Sequence, residues 1–192
     1  MRQPPRGKKR GPLTKAYLER AALHYLERYA SSVEGLRRVL MRRVDKAAWE
    51  ERCDPAEATP WVEDVVARYA ASGLVDDRSF AEGKAASLRR RGDSARRIAL
   101  KLREKGVDGE LIDTVLEEQD GEDSEAAEIA AACRFARRRR LGPLRAPEER
   151  EDRRDRDMAA LARAGFSLDI ARRVLDLEDA DALEEAMRGD TL

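Results

Sequence analysis

A four-residue beat of paired apolar residues returns three times along this chain. It appears as Trp61-Val62…Val65-Val66, as Leu111-Ile112…Val115-Leu116 and as Ile170-Ala171…Val174-Leu175. Pairs spaced four apart lie on one stripe of a helix, so each copy predicts a helix with one buried face. The second and third copies also share a lead-in, Lys105-Gly106-Val107-Asp108 in one and Ala164-Gly165-Phe166-Ser167 in the other. A glycine followed two residues later by Asp or Ser reads as a helix C-cap, a short turn and an N-cap. One helix–turn–helix unit is thus used repeatedly, at a spacing of roughly 50–60 residues that falls in the range of helical repeats. That organisation points to a modular binding surface rather than to one catalytic domain.

Composition agrees with an all-α fold. Of the 192 residues, 42% are hydrophobic, 41% charged and only 5% aromatic, and the common residues Ala, Leu, Arg and Glu are good helix formers. No apolar run approaches the roughly 18 residues that span a bilayer, and no apolar segment follows the basic start, so neither a membrane span nor a secretory signal is expected. Two cysteines, Cys53 and Cys133, make no disulfide framework. A cytoplasmic protein is the expectation.

The helix signals divide the chain. Residues 1–13 read as a disordered basic tail. Three helices are expected in 14–73: one capped by Thr14, one opened by a Ser31/Glu34 capping box, and one starting at Thr59-Pro60. The stretch from Lys46 to Ala58 reads as a helix extension running into a loop around Asp54-Pro55. A second three-helix group spans 74–119, with Asp77 as an N-cap. A third spans 120–179, and 180–192 reads as an acidic tail with room for one short helix. Each group buries too little alone, so neighbours are expected to share their stripes.

The chemistry inventory is thin. His24, the single histidine, sits in an amphipathic helix with no nucleophile or orienting acid near it in sequence, and reads as a partly exposed helix residue. The cysteines have no zinc spacing, and Cys133, after three alanines, reads as a small packing residue. No glycine-rich phosphate loop occurs. Asp76-Asp77 is explained by helix capping without a metal. No catalytic residue, no metal and no cofactor is assigned.

Charge is where the chain is distinctive. Zero net charge hides strong segregation. Residues 1–12 carry five bases and no acid; 89–105 carry eight bases against two acids; 107–133 carry ten acids and no base. Arg89, Arg90, Arg91, Arg96, Arg97 and Lys101 flank the expected Gly92 turn, and Arg137, Arg138, Arg139 and Arg140 form a second cluster. Such patches suit phosphate neutralisation. They serve equally as solvated faces paired with the acidic stretch that follows, and both readings stay open. Few aromatics accompany them, which speaks against base stacking.

Gly73-Leu74-Val75-Asp76-Asp77-Arg78-Ser79-Phe80-Ala81, then Gly92…Ile98…Leu102…Lys105-Gly106-Val107, then Ala164-Gly165-Phe166-Ser167…Ile170, resembles the RecX family of bacterial regulators of the RecA recombinase. The resemblance covers about residues 14 to 177. It implies three tandem three-helix repeats in an elongated, curved arrangement. It also implies a monomeric, non-catalytic protein that binds the RecA–single-stranded DNA filament. Inhibition of recombinase, ATPase and coprotease activity follows from the likeness, with a place in DNA repair, homologous recombination and the SOS response. Gly83 stands where the family often has tryptophan, and Ala164 where arginine is common. The two basic clusters are the residues expected to hold the filament, an assignment made from charge because the family motif does not include them. The alternatives are a helix–turn–helix DNA-binding regulator and a protein-interaction scaffold. The first is disfavoured because the third helices begin with Asp108 and Glu110, or Asp169, rather than with base-reading side chains.

Overall fold

A computed structural model describes residues 11–188, and all regular structure among them is helical. The chain divides into two compact units, Met1–Asp77 and Arg78–Leu192.

The first unit holds α1 (Lys15–Leu26), α2 (Val33–Trp49) and α3 (Pro55–Ala71). Leu18, Leu36, Leu40, Val44, Val62 and Val65 are fully buried between them. Leu13, expected within a disordered tail, belongs to this core at 5% exposure, and its amide donates to the Arg52 carbonyl. The tail therefore reaches no further than Pro12, and its residues 1–10 lie outside the described part. The α2 cap is Ser32 rather than Ser31: its hydroxyl accepts from the Gly35 amide at 2.9 Å. The third helix starts five residues before the expected Thr59-Pro60. Asp54 caps it through the Ala56 amide, Pro55 is its first residue, and Ala58 is already buried. Pro60 stands inside the helix, close to an exposed start where the loss of one backbone bond matters least.

The second unit contains α4 (Asp77–Arg90), α5 (Ala95–Glu104) and α6 (Gly109–Asp120), then α7 (Ser124–Arg139), a 3₁₀ turn at Gly142–Leu144, α8 (Pro147–Arg163), α9 (Leu168–Leu175) and α10 (Ala180–Arg188). Asp77, the first residue of α4, is also the last residue of the first unit, and within that unit its carboxylate accepts from the Val33 amide at 2.8 Å, so it serves the start of α2 rather than capping its own helix. One core joins Ile98, Leu102, Ile112 and Val115; another joins Phe135, Leu161, Phe166 and Val174. The expected acidic tail is in part core: Leu183, Ala186 and Met187 of α10 are buried against this second cluster. Their three- and four-residue spacing outweighs the acids around them.

The returning beat has the same fate in each repeat. Val62, Val65 and Val66, then Ile112, Val115 and Leu116, then Ala171, Val174 and Leu175 are buried. The leading residue, Trp61, Leu111 or Ile170, is only partly so. Asp108 and Ser167 cap the two later copies as their spacing predicts. No helix of the described residues is long and apolar enough to cross a membrane.

Candidate functional site

The turn between α4 and α5 is built around Gly92. Its amide and that of Asp93 return to the carbonyls of Arg89 and Leu88, and its φ is +78°. A Cβ here would lie 2.7 Å from both the Ala131 carbonyl oxygen and the Phe135 amide nitrogen. Glycine is required twice over, by handedness and by contact. Because the backbone of α7 passes this close, its arginine-rich end comes up to the turn, and the Arg138 guanidinium donates to the Arg91 carbonyl. The turn before α9 closes in from another side. Ser94 caps α5 through the Arg97 amide and donates its hydroxyl to the Ala164 carbonyl at 2.7 Å. A Cβ at Gly165 would fall 2.5 Å from that same hydroxyl oxygen and 3.6 Å from Arg96 Cβ. The two basic clusters, more than forty residues apart at Arg91 and Arg138, thus share one face.

Not every expected arginine is on that face. Arg89 is turned inward, its side chain 8% exposed. It donates to Asp120 through Nε (3.0 Å) and Nη2, to Glu128 through Nη1, and to the Asp93 carbonyl at 3.2 Å. Burial works against its charge, but the two carboxylates outweigh burial and hold its pKa above the ordinary guanidinium value. Arg89 ties α4 to the end of α6 and to α7, and is no surface contact. Lys101 donates to Asp93 at 2.5 Å, Arg97 lies 3.5 Å from the same carboxylate, and Arg137 pairs with Glu184 of α10.

The remainder are available. Arg90, Arg91, Arg96, Arg138, Arg139 and Arg140 are exposed and have no carboxylate partner among the described residues. Arg138 and Arg139 each lie 5.6 Å from the centroid of the Phe135 ring, a cation–π placement that holds them at the turn. Arg163, the last residue of α8 and two before Gly165, is also exposed without a carboxylate partner. No basic run surrounds it in the sequence, and what sets it apart is its place beside the glycine turn.

His24 is exposed on α1, 3.7 Å from Glu27. Cys133 is fully buried, and that burial pushes its thiol up to about 11, away from nucleophilic use. No group of three His, Cys, Asp or Glu among the described residues could hold a metal ion.

Residues 76–116 match the family model described as RecX, second three-helix domain. The chain is 46% identical over 183 residues to a Myxococcus xanthus protein named Regulatory protein RecX, covering 92% of this chain and 96% of the relative. It is 30% identical to a protein of the same name from Agrobacterium fabrum, over 87% and 86% of the two chains. A Corynebacterium efficiens protein of that name is 37% identical over 60% and 57%. No solved structure matches the chain. With the expected motifs at the caps and cores of the repeats, and relatives matched along nearly their whole length, the chain belongs to the RecX family.

Proposed function

We propose that this chain is a non-catalytic, cytoplasmic and monomeric regulator of the RecA recombinase. It acts by binding the RecA–single-stranded DNA filament and mainly inhibits its recombinase, ATPase and coprotease activity, in DNA repair, recombination and SOS control. Its working units are the three repeats at 14–73, 74–119 and 120–179. Family membership supports the regulatory role. The observation that carries the binding reading is the shared face around Gly92, where Arg90, Arg91, Arg96, Arg138, Arg139 and Arg140 have no internal counter-ion. Guanidinium groups with no carboxylate of their own chain beside them can take phosphates or carboxylates bidentately. A nucleoprotein filament presents both. The starts of α6 and α9, with Glu110 and Asp169 in their first turns, suit a major groove poorly.

The test is RecA ATPase on single-stranded DNA with the full chain titrated in, beside binding to naked duplex, naked single strand and RecA-coated strand. The wild type should lower the ATPase and prefer the coated strand. Reversing Arg90, Arg91 and Arg96 to Glu should weaken inhibition at physiological salt. It should also reduce the salt dependence of binding by about one unit of slope per lost phosphate contact. Unchanged inhibition would overturn the assignment; sequence-specific duplex binding would favour a DNA-binding regulator.

A further inference from the structure

The first unit has a basic feature of its own. α1, α2 and the segment Gly11–Thr14 line a cavity of about 850 Å³, within the size range of small-ligand sites. Its walls carry Arg20, Arg42, Arg43, Lys46 and Arg52 and no carboxylate. Arg52 is engaged by Glu50 at 2.7 Å and by the Gly11 carbonyl. The other four have no acid partner among the described residues. Residues 1–10, which precede the cavity in sequence, hold five bases and no acid, so they supply no carboxylate either. Arg43 is the telling member. One of its terminal nitrogens donates to the Tyr17 hydroxyl at 3.2 Å, while its Nε is buried and meets no acceptor. An unpaired donor on a charged group is the costliest kind to bury. A second aromatic, Tyr25, also lines the cavity, its ring 5.3 Å from that of Tyr29.

Helical spacing explains the gathering. Arg42 and Lys46 are four apart on α2, and Arg43 lies beside Arg42 toward α1 and Tyr17. Nothing in the core of the unit needs this charge: Leu36, Leu40 and Val44 fill the buried face of the same helix without it.

We propose that this cavity is a nucleotide-phosphate site. The phosphate sits against Arg43 Nε and the flanking Arg42 and Lys46, and a base lies against Tyr17 or Tyr25. The phosphate comes from a nucleic-acid strand or from a free nucleotide. The site shares no residue with the arginine face of the second unit, so each assignment can fail without the other.

The direct probe is the Nε–Hε signal of Arg43 in the ¹⁵N-labelled full chain, assigned by its loss in Arg43→Met. Short oligothymidylate, its uncharged methylphosphonate counterpart, thymidine monophosphate and inorganic pyrophosphate are titrated separately. Saturable movement with the oligothymidylate and none with the methylphosphonate supports a strand phosphate. Saturation by the monophosphate at equal or lower concentration supports a free nucleotide, whereas pyrophosphate saturating at lower concentration than both would overturn the nucleotide assignment. The paired substitution Arg42→Gln/Lys46→Gln, at two exposed positions, keeps the signal observable and should weaken that saturation about tenfold. An Arg43 signal that none of the phosphates moves, in a chain that still binds the oligothymidylate elsewhere, overturns the proposal, as does a paired variant that saturates like the wild type.

Discussion

Replacing Arg89 by Met is the sharpest test of the division between buried and surface arginines. The substitution removes the cation between Asp120 and Glu128, whose side chains are 7% and 15% exposed. Both carboxylates are then left with little solvent and no counter-charge, and the Asp93 carbonyl loses its donor. Breaking a buried ion pair by deleting one partner costs about 3–5 kcal/mol, against about 0–1 kcal/mol for a solvated surface pair. The expected loss lies in the upper range, because one guanidinium serves two acids. Urea unfolding followed by far-UV circular dichroism should show the midpoint falling with little change in slope.

The triple variant R89M/D120N/E128Q should recover at least half of the loss, since neutral groups of the same shape strand no charge. Glu128 also accepts the Ala95 amide at 3.1 Å, and a glutamine carbonyl can keep that bond. A single-variant cost below about 1 kcal/mol, or a triple variant no better than the single, would refute the clamp. On the proposed function, R89M should act on RecA ATPase as the wild type does at temperatures where it is folded, unlike the Arg90, Arg91 and Arg96 reversal.

Gly92→Ala should cost well over the roughly 1–2 kcal/mol of a left-handed non-glycine residue, because its Cβ meets the α7 backbone. Gly73→Ala, at φ +72° with nothing within 4 Å, should cost only that conformational amount, and equal losses in thermal melts would deny the close approach. Asp157 is pulled two ways: burial raises its pKa, but bonds from Arg145 (2.7 Å) and the Gly142 amide (2.9 Å) prevail and lower it. A lowered folded pKa gives stability that is complete above the unfolded value, near 3.9, and is lost as pH falls through the folded value. The stability gap between wild type and Asp157→Asn, measured by urea unfolding, should therefore be constant near neutrality and close below about pH 4; a gap that widens on acidification would contradict this.

The fold was legible because its signals are local. A glycine, one intervening residue and a capping Asp or Ser specify a turn within three residues, and paired apolar residues four apart specify the face that follows. The misreadings arise where two local signals competed. Asp54-Pro55 and Thr59-Pro60 both announce a helix start. The earlier one prevails because beginning at Pro55 puts Ala58 on the buried face with Val62 and Val65. In the C-terminal segment the acids hid a stripe at Leu183, Ala186 and Met187 that has the same spacing as any core helix.

The site was harder to read because charge along a sequence does not say which way a side chain turns. Arg89 looks like the first of three equivalent arginines, yet it lies four residues after buried Ala85 and eight after buried Ala81, on the inward stripe of α4. That spacing was present in the sequence; its partners, Asp120 and Glu128, were not identifiable without the fold. The converse holds in α2, where Arg42, Arg43 and Lys46 make no run as dense as that around Gly92 and carry little signal in the sequence alone. Their convergence with Tyr17 and Arg20 depends on how α1 lies against α2. A run of like charges must therefore be divided by helical phase before it is read as a surface. Residues in phase with the core need an internal counter-ion, and only those out of phase, with no acid in reach, are candidates for a partner.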